Sequence, residues 1–195
     1  MQIEFLEAKD PGYVRVQSHI REVYGTVYGA VVSDFAPLLV SAKRPDGQIL
    51  CAAGIRTAKD GFFSDRYLQT DLSTALLTTV GLETPEAQIM EVVSLASLTP
   101  FPVLPLLDTM IRWGRLHGMT CGVFTATKPL RRLLKRTGLS YIELAEAEAS
   151  KLENSDTWGS YYETDPRVCA FSEMLCSPVT LSPRERAVSL QFEAS

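Results

Sequence analysis

A single carboxylate interrupts an apolar run. The stretch Ile89–Ser97 reads IMEVVSLAS, short enough for a buried strand, and Glu91 is its one ionisable residue. Period-two alternation predicts Ile89, Glu91, Val93 and Leu95 on one face of that strand and Met90, Val92, Ser94 and Ala96 on the other. An ionised side chain among apolar neighbours is costly unless it is paired or used. Two readings therefore compete. Glu91 is a general base whose pKa burial has raised, or it is half of a buried structural pair with Arg56. A base should tolerate Glu91→Gln with little loss of stability; a structural pair should not.

A second pattern is cationic. Lys128, Arg131, Arg132, Lys135 and Arg136 recur at i, i+3, i+4, i+7 and i+8, which gathers them on one side of a helix, with Leu130, Leu133 and Leu134 opposite. Such a stripe can recruit anionic phosphates or an acidic protein; the competing reading is a solvated helix face. Other reactive constellations are missing from the sequence. The four cysteines, Cys51, Cys121, Cys169 and Cys176, lie scattered in apolar surroundings without the spacing of a zinc knuckle, and read as buried thiols. His19 and His117 have no carboxylate or cysteine at ligand spacing, so neither a metal nor a Cys–His nucleophile is expected.

The elements that must position these residues follow from periodicity. Residues 2–8 alternate as a first strand before the Asp10-Pro11-Gly12 turn, and Tyr13, Val16, Ile20, Val23, Tyr24 and Val27 form the apolar stripe of a helix over residues 11–28. Residues 38–42 and 49–56 read as a hairpin around Asp46-Gly47. In its second strand Ala52, Gly54 and Arg56 share a face, where small residues either admit a ligand or pack tightly. Residues 61–71 are aromatic and turn-like, and Leu72–Val80 is a helix ended by Gly81. After Ile89–Ser97 come a proline-bearing turn, an amphipathic helix to Gly118, a strand over residues 119–125, and the cationic helix, with Thr127 as its cap and Pro129 in its first turn. Residues 141–144 read as a strand, 145–152 as a polar helix, and 157–171 as a hairpin whose Trp158, Tyr161 and Tyr162 suit a core.

At 195 residues, 46% of them hydrophobic, with a net charge of -4, the chain fits one domain over residues 1–177 with an extension over 178–195. No run approaches the roughly 20 apolar residues that span a bilayer, so an integral membrane protein is not expected. No nucleic-acid partner is expected either. Acidic residues and the lack of a long apolar stretch at the N-terminus speak for a cytoplasmic protein.

The segments VYGAVVSDFAPLL (residues 27–39), FFSDRYL (62–68), IMEVVSLAS (Ile89–Ser97), GVFTATKPLRRLLKRTGL (122–139) and WGSYYETDPRV (158–168) resemble the successive blocks of the thermostable hemolysin family. The last block is the most specific. That family is in turn similar to the GNAT acyltransferases and, among them, to acyl-homoserine lactone synthases. The resemblance implies an α+β fold: a mixed, mainly antiparallel sheet with splayed central strands and helices on both faces. It also implies Glu91 and Arg56 as the catalytic pair, with the backbone of Val93, Ser94 and Leu95 at the thioester oxyanion. Arg21, Tyr24, Tyr28, Asp34, Trp158 and Tyr162 would bind the acceptor, and the stripe from Lys128 to Arg136 would dock a carrier.

Two departures stand out. Val93-Ser94 replaces the family's usual Gly-Asn, removing a glycine-enabled bend, and residues 97–102 lack the glycines with which GNAT acetyltransferases grip the CoA pyrophosphate. The expected activity is direct transfer of a fatty acyl group from an acyl carrier protein or CoA thioester to a small, amino-acid-like amine. The donor would be acyl-CoA or acyl-phosphopantetheine, with no cofactor permanently bound. Two alternatives remain: a membrane-active toxin, which the absent export signal and spanning segment disfavour, and a non-catalytic binder of acyl carriers.

Overall fold

The computed structural model describes residues 1–174. The expected extension 178–195 and Cys176 lie outside them. The alternating start forms β1 (Gln2–Glu7), and the three- and four-residue steps of Tyr13, Val16, Ile20, Val23 and Tyr24 bury one stripe of α1 (Tyr13–Tyr28). Gly29, left-handed at φ 68°, ends that helix. β2 (Leu38–Lys43) and β3 (Ile49–Thr57) make the hairpin. A 3-10 turn, Phe63–Tyr67, precedes α2 (Leu72–Val80), whose N-cap Asp71 accepts from the Thr74 amide at 2.8 Å. Then follow β4 (Ile89–Ser97), α3 (Val103–Leu116), β5 (Cys121–Ala126), α4 (Lys128–Arg136), β6 (Ile142–Glu146) and β7 (Arg167–Ser172).

These strands form one seven-stranded sheet in the order β1-β2-β3-β4-β5-β7-β6. Only the β4–β5 pair is parallel. Leu39, Ala52 and Ala96 pack on α1, and Ile89, Val123, Val168 and Ala170 on the Leu72 and Leu76 side of α2. The opposite face, with Val40, Cys51, Ala53, Ile55 and Met90, packs on α3, and Phe171 joins Leu134 of α4. Helices thus cover both faces.

The centre of the sheet opens. Parallel pairing of β4 with β5 runs from Ile89–Cys121 only to Val92–Phe124, so the strands part beyond Val92. There the β3–β4 register also jumps, from Gly54↔Val93 to Ala52↔Ala96, and Ser94 adopts φ 54°. Ser94 and Leu95 have a register partner on neither side. The bulge forms without glycine because a single L-residue can occupy the left-handed region at modest cost. It also overturns two expectations. Adding a residue shifts the alternation, so Leu95 joins Met90 and Val92 on the α3 face, while Ala96, opposite Ala52, joins the Glu91 face toward α1. Gly54 resolves toward tight packing, since a Cβ there would lie 2.6 Å from Ala36 Cβ.

Three local expectations are corrected. Residues 145–152 are not a helix: β6 runs to Glu146 and a 3-10 turn, Ala149–Lys151, follows. Residues 157–171 are not a hairpin, because Ser155–Trp158 and Tyr161–Thr164 are 3-10 turns and β7 inserts between β5 and β6. Thr127 precedes α4 but makes no side-chain cap.

Candidate active site

Glu91 projects from β4 toward the 3-10 turn Phe63–Tyr67 and is 1% exposed. Its Oε1 accepts from the Ser64 amide (2.8 Å) and hydroxyl (2.5 Å), and its Oε2 accepts from the Phe63 amide (2.6 Å). Burial pushes the carboxyl above its ordinary range, against the pull of the Ser64 and Phe63 donors and the Arg56 charge. The direct Glu91–Arg56 pair does not form. Arg56 stands opposite Glu91 in the β3–β4 register, but its guanidinium donates to Asp34 Oδ2 (2.8 Å) and to the Asp60 carbonyl (3.3 Å). Glu91 is therefore neither half of an ion pair nor openly accessible.

Two cavities lie on either side of β4, and this carboxylate contributes to one of them. On the α3–α4 side lies an apolar one of about 310 Å³, walled by Val92, Leu95, Val103, Leu107, Phe124 and Leu133 among others. On the α1 side lies a polar one of about 590 Å³, to which Asp34, Arg56, Arg66, Glu91, Lys151 and Trp158 contribute. Tyr24, Val92, Ser94, Thr125 and Tyr161 line both. The two spaces thus meet where β4 and β5 part. Bulge and splay leave the backbone of Ser94 and Leu95 unladdered at that junction.

The expected acceptor residues divide. Tyr24, Asp34 and Trp158 line the polar cavity, whereas Tyr28 lines the apolar one. Arg21 lines neither; it stacks over the Phe35 ring at 4.6 Å and donates to the Val32 carbonyl. Tyr162 lies behind the wall, its hydroxyl 2.6 Å from that of Tyr67. The aromatic reading of the last block as packing is right in part, since Tyr24, Tyr28, Trp158 and Tyr161 touch ring to ring. Gly159 makes that packing possible: at φ 52°, its ideal Cβ would sit 2.0 Å from the Tyr28 carbonyl oxygen.

The cationic stripe also divides. Lys128, Arg132, Lys135 and Arg136 are exposed, beside Pro129, Leu130 and Leu133 of the apolar cavity wall. Arg131 is a correction: its side chain is 11% exposed and it binds Glu143 (2.9 Å) and Asp165 (2.6 Å), tying α4 to β6 and to the turn before β7. Residues missed in the sequence are Ser64, Thr125, Arg66, Lys151 and Tyr161. Ser64 and Arg66 lie in the FFSDRYL block, Thr125 in GVFTATKPLRRLLKRTGL and Tyr161, read as a core aromatic, in WGSYYETDPRV, but the residue types alone assigned none of them a place at the site. Among the described residues no group of His, Cys, Asp and Glu could hold a metal ion, and no helix is long and apolar enough to cross a membrane.

Comparison with known proteins adds a family and a fold. A family model described as thermostable hemolysin matches residues 6–175. No curated protein matches the chain. Among solved structures, the AHL synthase LasI superposes with a TM-score of 0.60 at 14% identity, covering 93% of this chain and 95% of that one. FeeM, an N-acyl amino acid synthase from uncultured soil microbes, gives 0.59 at 12% identity over 88% and 92%. A putative N-acetyltransferase from Lactobacillus plantarum gives 0.52 at 12% identity over 88% and 99%. At these identities the likeness is one of fold, and it is the GNAT-like fold that the sequence blocks imply.

Proposed function

We propose that this chain, which belongs to the thermostable hemolysin family, is a cytoplasmic N-acyltransferase that moves a fatty acyl group from a thioester donor to a small amino-acid-like amine. The observation that carries this reading is the meeting of an apolar and a polar cavity at the splay, beside Glu91. An acyl chain suits the apolar space, and a zwitterion suits the polar one. There Asp34 can hold an ammonium group, while Arg66, stacked over Phe63 at 4.4 Å, can hold a carboxylate. Arg56 positions Asp34 and lends positive charge to the wall.

The amine attacks the thioester carbonyl directly, and the unladdered backbone at Ser94 and Leu95 supplies amides for the oxyanion. Glu91 is the final proton acceptor. A carrier-presented donor is favoured over free CoA by the start of α3. Pro102 and Pro105 lack an N–H and the Val103 amide donates to the Pro100 carbonyl, so Leu104 alone is left to meet a pyrophosphate. An N-acylated amino acid is an amphiphile, which connects the family's lytic name with an enzyme rather than a pore.

The test is to incubate the purified protein with acyl carrier protein or CoA thioesters of graded chain length and the amino acids singly, and to read products by mass. An N-acyl amine is expected, and lysis of red cells only where that product accumulates. Lysis by the protein alone, with no acylated product from any donor, would replace this reading with the toxin.

A further inference from the structure

We infer that Thr125 and Ser64 form a two-hydroxyl relay through which the acceptor amine delivers its proton to Glu91. This rests on the acyl-transfer reading above.

The need for a relay comes from the burial of the base. Glu91 is 1% exposed, and an ionised carboxylate has about four acceptor positions, three of which are taken by the Ser64 hydroxyl and the Ser64 and Phe63 amides. Although Glu91 contributes to the polar cavity wall, its Oε1 is engaged twice by Ser64, so an amine in that cavity reaches Oε1 through the Ser64 hydroxyl. The Ser64 hydroxyl, 0% exposed, lies 2.5 Å from Oε1 and 3.2 Å from Thr125 Oγ1. The first contact fixes the second. The Ser64 hydrogen is committed to the carboxylate, which can only accept, so Ser64 accepts from Thr125. The Thr125 oxygen then has lone pairs free for an incoming N–H, and Thr125 is one of the residues that line both cavities. The relay ends where amine and thioester must meet.

The proton count closes. An ammonium proton passes to Thr125 Oγ1 as the Thr125 hydrogen passes to Ser64 Oγ and the Ser64 hydrogen to Glu91 Oε1. The amine is neutral, both hydroxyls are restored, and Glu91 carries one proton. Nitrogen attacks, the C–N bond forms and the C–S bond breaks. A second nitrogen proton goes to the departing sulfur as thiol, and Glu91 releases its proton to solvent.

Thr125→Val, Thr125→Ser and Ser64→Ala test the relay in steady-state acyl transfer across pH. Thr125→Val removes the hydroxyl without changing shape much, and is expected to lower kcat by roughly 10²-fold or more, as for a lost acid–base path, with KM for donor and acceptor little changed. Thr125→Ser is expected to restore most of the rate. Ser64→Ala is expected to lower kcat and also move the acid limb of the profile upward, because Glu91 loses a donor that favours its ionised form. The Phe63 and Ser64 amides, Arg56 from β3 and Tyr67 from the 3-10 turn, which also act on Glu91, remain in that variant. Wild-type kcat in Thr125→Val overturns the relay and assigns the proton to a water on Oε2. A wild type that forms no product from any thioester overturns the acyltransferase reading instead, and the relay with it.

Discussion

Glu91 accepts on both oxygens, and that decides what its amide would do. In Glu91→Gln one terminal atom can still accept from Ser64, but the other is an NH₂ facing the Phe63 or Ser64 donors. The easy tolerance expected of a base in an apolar strand therefore does not hold. We expect a loss of about 1–3 kcal/mol for the unsatisfied donor in urea unfolding, together with the roughly 10²–10⁴-fold loss of transfer that removing a general base causes. Stability and activity fall together. The pH dependence separates the two roles. The folded pKa of Glu91 is raised, so its favourable contribution is full below the unfolded pKa and is lost as pH rises through the folded value. Wild-type stability should decline along that limb and the variant's should not; equal slopes would mean Glu91 does not titrate there. Glu91 was legible in the sequence because a lone charge in an apolar run has few explanations. Ser64 and Thr125 were not, since common hydroxyls 27 and 61 residues from their partners carry no local signal. Arg131 looked like its cationic neighbours until β6 and the turn before β7 supplied Glu143 and Asp165.

At the scale of elements, the site depends on one irregular residue in β4. Ser94 at φ 54° makes the bulge that turns Leu95 toward the apolar cavity and leaves its own and the Leu95 backbone without ladder partners. A β-branched residue fits that conformation poorly. Ser94→Val is expected to cost about 1–3 kcal/mol and to weaken binding of a fluorescent fatty acid, whereas Ser94→Gly should keep both within error. Equal behaviour of the two variants would show that the bulge is imposed by its neighbours rather than by the conformation of residue 94. Strict alternation reads such a strand correctly only up to the break, which is why Ile89 and Glu91 were placed correctly and Leu95 and Ala96 were not. Strands and helices held by local periodicity, such as α1, α2 and the β2–β3 hairpin, were legible for the same reason. Residues 157–171 were not, because β7 pairs with β5 and β6 across long sequence separations rather than with a neighbour in a hairpin.

Across the whole molecule, charge is distributed against the average. The chain carries a net charge of -4, yet the exposed Lys128, Arg132, Lys135 and Arg136 gather on α4 beside the apolar cavity wall. An acidic carrier docking there would present its acyl chain to the splay, and the few amides that Pro102 and Pro105 leave at the start of α3 give free CoA little to hold. Attraction between such surfaces acts mainly on the association rate and is screened over about 8 Å at physiological ionic strength. Reversal of Lys128, Arg132 and Arg136 together to Glu is therefore expected to weaken use of acyl carrier protein strongly, to raise its KM more than it lowers kcat, and to spare small acyl thioesters. The wild type should lose carrier binding steeply with salt, and the variant should show a flat response. Arg131 must stay, because its ion pairs hold α4 to the sheet and its loss would confuse docking with unfolding. The melting curve of the triple variant checks that the fold is kept. Carrier use equal to that of the wild type at low salt would make this stripe a solvated helix face and move the donor's docking surface elsewhere.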